Sequence, residues 1–210
     1  MSSTACPVFG PIILGSDVEQ WCIDHCQRWL STYMSEAERQ HGIPALTLAR
    51  PRSYTRSMLF DAWAEDQLPR LIIVSPGVVP PPTRHADGYT ARWAIGLAVH
   101  FSAATALAAR DGAQLMTGAA RELFKDKPSL GGYALAADWA DERYDDLPFD
   151  DSRSHSSGQA HFVLEVDHVG DAYGGPATPD TPSDDPWTPW PQVDTADVQL
   201  ENHPVSAPLP

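Results

Sequence analysis

Chemistry requires side chains that ligate, titrate or attack, and this chain of 210 residues carries three groups of them. The first is W-C-I-D-H-C at 21–26, where Cys22 and Cys26 stand four apart with His25 between them. On a helix that spacing sets two thiolates on one face, within reach of a metal. The competing reading makes them two small apolar residues on a buried stripe, with His25 off it. It is favoured, because a closed site needs four ligands and the sequence has no second Cys/His cluster. The second group is histidine, eight in all: His25, His41, His85, His100, His155, His161, His168 and His203. His100, His161 and His168 fall on or beside segments that read as strands. With Glu165 or Asp167 they offer the parts of a histidine–carboxylate acid–base site, but no nucleophile motif accompanies them. The third group is acidic: Asp138, Asp141, Glu142, Asp145, Asp146, Asp150 and Asp151. It lacks the D-x-D-x-D-G spacing of a calcium loop and reads as a solvated or channel-facing patch. The sequence has no phosphate loop, no dinucleotide glycine fingerprint, no G-x-S-x-G and no H-E-x-x-H. The balance is against an enzyme, and neither a cofactor nor a metal is expected.

The elements that position these groups are organised around Gly88–Ser102, G-Y-T-A-R-W-A-I-G-L-A-V-H-F-S. Tyr89, Ala91, Trp93, Ile95, Leu97, Val99 and Phe101 alternate with Thr90, Arg92, Ala94, Gly96, Ala98 and His100. That period of two predicts a long strand in mid-sheet. The small second face is expected to receive something closely packed. Before it, Val18, Cys22, Cys26, Trp29, Tyr33 and Ala37 trace one stripe of an amphipathic helix over Asp17 to His41, with Ser16 as N-cap and Gly42 as stop. Leu46 and Leu48, then Tyr54, Met58 and Phe60, could make one or two short strands. Leu68–Val74 reads as a buried strand stopped by Ser75-Pro76-Gly77, and 76–87 as a proline-rich loop. After the long strand, Ala103–Lys125 reads as a helix, with Gly112 and Gly118 for close packing against the small face and Pro128 as its end. Tyr133–Tyr144 follows as a strand, 145–158 as an acidic loop and Gln159–Val169 as the last strand. The predicted class is α+β, a mostly antiparallel sheet of about four to five strands flanked by two main helices.

Three segments result: an arm at 1–15, a domain at 16–173 and a tail at 174–210. Nine of the tail's 37 residues are proline, and six are acidic with no Lys or Arg to offset them. Such a composition buries too little apolar surface to offset the entropy of ordering. By itself it should be disordered or polyproline-like, and Trp187 and Trp190, in D-P-W-T-P-W-P, read as anchors for a groove on another chain. The whole chain carries a net charge of −14. That argues against binding through phosphate neutralisation and against an anionic membrane surface as partner. No apolar run reaches the roughly 20 residues of a spanning helix. The first residues, M-S-S-T-A-C-P-V-F-G, do not read as a secretory signal, and three cysteines, Cys6, Cys22 and Cys26, suit reduced thiols.

The order of short phrases carries more than any one motif. L-P-R-L-I-I-V-S-P-G at 68–77 precedes a proline-rich loop and G-Y-T-A-R-W-A-I-G-L-A-V-H-F at 88–101. A helix, P-S-L-G-G at 128–132, D-W-A-D-E-R-Y-D-D-L-P at 138–148 and G-Q-A-H-F-V-L-E-V at 158–166 follow. Over about residues 16–170 this layout resembles the tail terminator (tail-completion) proteins of long-tailed phages, especially those infecting actinobacteria. The resemblance implies a small α/β fold that assembles as a ring of six. The ring caps the tail tube, ends its polymerisation and joins it to the neck, with DNA passing through. The implied partners are other copies of the chain, the tail tube protein and a neck or connector protein. The implied place is the tail–neck junction of a virion assembled in the host cytoplasm. The family brings no catalytic residues. Channel-lining candidates are Asp141, Glu142, Asp145, Asp146, Asp150 and Asp151. Another neck adaptor, such as a head-completion protein, and a small His/carboxylate hydrolase are the alternative readings.

Overall fold

The long strand runs Tyr89–Ala103 (β4) and lies at the centre of a mixed, mostly antiparallel sheet. This computed structural model describes residues 13–56, 65–79, 81–85, 88–147, 153–167 and 169. All of them belong to one compact unit, Pro11–Ala172. The elements in order are α1 (Gly15–Gln40), β1 (Ser53–Thr55), a 3-10 turn (Glu65–Gln67), β2 (Arg70–Val78), β3 (Thr83–Arg84), β4, α2 (Ala106–Asp126), β5 (Ala136–Leu147) and β6 (Ser154–Val166). The sheet order is β1-β2-β4-β6-β5, and β3 pairs with β4 beyond the end of β2. β1 runs parallel to β2, and every other pairing is antiparallel. The fold is therefore α+β, with six strands among the described residues, β1 and β3 being too short to leave a periodic signal.

Both helices pack on one face of the sheet, the face that carries the bulky alternate residues of β4. Ile95, Leu97, Val99 and Phe101 join Leu71 and Ile73 of β2, Phe162 and Leu164 of β6, and the apolar stripes of α1 and α2 in one core. The expectation that the helices would meet the small face is thus corrected. The physical reason is area: large side chains bury more apolar surface per strand than Ala94, Gly96 and Ala98. The glycines do mediate close approach, but on this face. A Cβ on Gly112 of α2 would fall 2.4 Å from the Phe101 ring, and one on Gly158 of β6 would fall 2.2 Å from Thr117 Oγ1. Two pairs therefore set the helix–sheet spacing: glycine against phenylalanine, and glycine against threonine. The opposite face, with Arg92, Ala94, Gly96, Ala98 and His100 of β4, has no helix over it among the described residues.

The α1 N-terminus differs from the expected Ser16 cap. Leu14 is the N-cap, and the Asp17 carboxylate accepts from its N–H at 2.8 Å. The helix ends as expected at Gly42, whose φ of 66° is costly for other residues. Ile43 N–H reaches the Glu38 carbonyl at 2.8 Å, closing a Schellman turn. Helix α2 starts at Thr105, whose side chain accepts from Ala108 N–H at 3.2 Å.

Two loop readings are overturned. Ser75-Pro76-Gly77 does not stop β2; the register shifts between Val74 and Gly77, and pairing resumes at Gly77 opposite Ala94. A bulge absorbs the proline, which cannot donate to a ladder. Nor is 145–158 a single loop. Asp145–Leu147 completes β5, and Ser154–Gly158 opens β6 opposite Val99–Ala103. Polar residues form strand there because β4 is long enough to template them. The reading of Leu46 and Leu48 as strand also fails, since β1 holds only Ser53–Thr55, while Met58 and Phe60 lie outside the described residues.

Candidate functional surfaces

Strand β5 is the edge of the sheet beside β6. Its twelve residues hold five of the seven acidic candidates, and the two-residue period sorts them onto opposite faces. Glu142 and Asp146 turn toward α2. Glu142 meets Arg121 at 2.8 Å with its carboxylate 7% exposed, and Asp146 meets Arg110 at 3.2 Å. Asp138, Asp141 and Asp145 lie on the open face, opposite Val163, His161 and Ser157 of β6. There Asp138 stands 3.7 Å from Arg92 and Asp141 stands 3.3 Å from Arg143. A register shift between Trp139 and Asp141 switches the strand's phase. Of the five, Asp145 makes no ion pair with the described residues. Asp150 and Asp151 lie outside them. The acidic run is thus not one patch: two members clamp the α2 side and two are matched by arginines on the open face.

The histidines separate in the same way. His161 Nδ1 contacts the Asp141 carboxylate, both half-exposed on the open face, and the contact holds Asp141 below the usual carboxylate range. Sequence reasoning named Glu165 or Asp167 as the acid. The register instead puts Glu165 opposite Arg92, and Asp167 accepts from Thr90 Oγ1 at 2.8 Å. The partner came from the neighbouring strand, a pairing that only the bulged β5 register reveals. His100 is 8% exposed, and burial, with Arg70 and His155 nearby, lowers its pKa to about 4. It lies opposite Ser157, two positions along β4 from Ala98, and not beside His161, which faces Gly96. His168 lies outside the described residues. A triad of these three histidines is therefore not assembled by the described strands.

Cys22 and Cys26 are fully buried on α1, and burial raises both thiols above their ordinary values. Among the described residues no group of three or more His, Cys, Asp or Glu side chains converges as a metal site. His25 is not off the buried stripe: it is 6% exposed and tilts against the Phe124 ring at 5.6 Å. Trp187 and Trp190 lie outside the described residues. No described helix is long and apolar enough to cross a membrane.

A polar centre that the sequence did not flag is Glu38, 1% exposed at the end of α1. It accepts from Leu46 N–H at 3.1 Å, Leu48 N–H at 2.7 Å, and Arg50 Nη1 and Nη2 at 3.1 and 2.9 Å. Its signal was an acid at a stripe-adjacent position followed twelve residues on by the first arginine of Arg50-Pro51-Arg52. That spacing means nothing until the chain turns back. With this geometry in hand, the comparisons add no family: neither a protein-family model nor a curated protein sequence matches the chain.

Proposed function

We propose that this chain is a structural virion protein of the tail terminator type. On this reading it forms a ring that ends tail-tube growth and joins the tube to the neck, leaving a channel for DNA. The observation that carries the proposal is the layout resemblance over 16–170, now set on an α+β fold. Consistent with a subunit that packs side by side in a closed ring, the β5 end of the face opposite the helices is exposed at Asp138, Arg143 and Asp145. The net charge of −14 suits a conduit that must not hold DNA. The ring is expected to be of six subunits and to meet the tube protein on one side and a connector protein on the other. The test has two readouts. Light scattering of the purified chain should give a ring mass, and particles lacking the chain should carry tubes of uncontrolled length. A chain that stays monomeric and leaves tube length unchanged would overturn the proposal, whereas a ring found at the capsid side of the neck would make it a head-completion adaptor.

A second reading rests on the His161–Asp141 contact, which has the parts of an acid–base pair. It makes the chain a small hydrolase. Replacing His161 by Gln and Asp141 by Asn decides between them: tail assembly by the doubly substituted chain leaves the contact a surface ion pair.

A further inference from the structure

A cleft of about 580 Å3 opens between α1 and the turn from α2 to β5, walled by Trp21, His25, Arg28, Trp29, Leu130 and Tyr133. The Trp21 and Tyr133 rings stack at 4.8 Å, 10° from parallel. The Lys127 ammonium lies 4.8 Å from the Trp29 ring centre and the Arg28 guanidinium 5.8 Å from it. Seven other cations, Arg39, Arg50, Arg92, Arg110, Arg121, Lys125 and Arg143, each reach a carboxylate. Arg28 and Lys127 reach none within 4.0 Å among the described residues. The one acid on the cleft wall, Asp24, accepts from Gln20 at 2.8 Å. Two cations thus lie over one indole, with no acid in reach among the described residues, in a chain of net charge −14. A second orphan sits behind them. His25 is more than nine-tenths buried, lines the cleft, and its Nε2 has no hydrogen-bond partner among the described residues. A hydrogen bond to the Lys127 backbone engages the ring, and burial together with the cations Lys127 and Arg28 keeps it neutral. A neutral imidazole bonded through one nitrogen leaves the other as an acceptor.

We propose that this cleft receives an extended, acidic, tryptophan-bearing segment, and that the segment is Asp184–Pro191 of a second copy of the chain. This deepens the ring reading and rests on it for the supply of a neighbour. The sequence D-D-P-W-T-P-W-P offers the cations what they lack. Asp184 and Asp185 supply carboxylates for Arg28 and Lys127. Flat rings extend the Trp21–Tyr133 stack. The interleaved prolines keep the segment extended and lower the entropy lost on docking. The fourteen residues 170–183 span up to roughly 50 Å when extended, enough to reach a neighbouring subunit.

The test uses the full chain carrying Trp187→Ala and Trp190→Ala, so that its own segment does not compete. A fluorescent peptide covering 180–194 is titrated into it and followed by anisotropy. Saturable binding is expected, at least tenfold weaker in the further variants Arg28→Glu with Lys127→Glu and Arg28→Ala with Lys127→Ala. A peptide with Asp184→Lys and Asp185→Lys should recover affinity for the glutamate variant. Binding that is absent, or equal in all chains, overturns the proposal. Trans docking is read separately by mixing full-length chains, one altered only in the tail and one only in the cleft. Restored association is expected, and no association overturns the claim of a second copy. Rings that form normally in both altered chains sink the cleft proposal while leaving the terminator reading standing. A peptide that binds the cleft of a chain unable to control tube length does the reverse.

Discussion

Replacing Glu38 by Gln changes one oxygen into an amide and leaves the shape almost untouched. Each Glu38 oxygen takes two donors: Oε1 from Leu48 N–H and Arg50 Nη1, Oε2 from Leu46 N–H and Arg50 Nη2. Whichever way the glutamine amide turns, its NH2 faces two donors, so one backbone N–H and one guanidinium N–H lose their acceptor. A buried donor left unpaired costs about 1–3 kcal/mol. Removing one partner of a buried ion pair costs about 3–5 kcal/mol. The Arg50 side chain is 21% exposed and can turn to water, so the lower part of that range applies, about 3 kcal/mol. Urea unfolding of the full chain should show this as a lower midpoint at unchanged slope. A loss under about 1 kcal/mol would refute the reasoning, because it would mean that the clamp on 46–50 contributes no more than an exposed pair.

The same residue sets a pH window. Hydrogen bonds from Arg50, and then from Leu48 and Leu46, hold the Glu38 carboxyl at about 2, against 4.5 for the free side chain. The folded value is depressed, so the stability it brings is present in full above 4.5 and is lost as pH falls toward 2. The stability gap between the native chain and Glu38→Gln should therefore be constant near neutrality and narrow below pH 4.5. Carboxylates common to both chains cancel in that difference.

Gly158→Ala puts a Cβ 2.2 Å from Thr117 Oγ1 and 3.2 Å from the Ala113 carbonyl oxygen, and should cost about 1–3 kcal/mol. Adding Thr117→Ala should recover part of that loss, and denaturant midpoints of the four chains in the cycle measure it. In a Cys6→Ser background, a thiol reagent at pH 8 should label Cys22 and Cys26 only after denaturation, since both are fully buried and their thiols are pushed up by burial. Glu142→Gln should destabilise the chain by about 1–3 kcal/mol in thermal melts by breaking the Arg121 pair, which is 7% exposed on its acid side. Asp145→Lys, on an exposed position, should change stability by no more than about 0.5 kcal/mol in the same melts.

The parts of the fold that were legible in the sequence were those with a sustained period. Tyr89–Phe101 alternates over enough residues to declare a strand, and the α1 and α2 stripes recur at three and four. Boundaries set by pairing were not legible. Ser154–Gly158 carries no strand signal of its own and becomes strand because β4 extends to Ala103 and offers it partners. The side of the sheet that the helices cover was misread because small residues were taken as the invitation to close packing. Here the invitation came from Gly112 and Gly158, while the small residues of β4 stayed on the face opposite the helices. The site residues followed the same division. That His161 has an acid beside it was anticipated, but which acid depended on the β5 register and its shift at Trp139–Asp141. Glu38 and the cleft cations were missed altogether, since each becomes meaningful only through residues distant in sequence.

The acidic run shows what the period of two does to a charge argument. Read as a string, Asp138–Asp151 is a block of like charge, and a block of like charge suggests one role. Folded as an edge strand, successive residues face opposite sides of a sheet, and arginines meet four of the five acids that β5 carries. Edge strands avoid pairing with copies of themselves when they carry charge and bulges, and β5 has both. Its acids therefore have a reason to exist without any channel: they keep two β5 edges apart and hold the sheet to α2. A repulsive lining for DNA needs carboxylates free of counter-charges, because a matched pair presents little field beyond a Debye length of about 10 Å. On β5 that leaves Asp145 among the described residues, while Asp150 and Asp151 lie outside them. On β5, we propose, the channel reading narrows to Asp145. Reversing Glu142 or Asp146 would report on the α2 contact instead of on the passage of DNA.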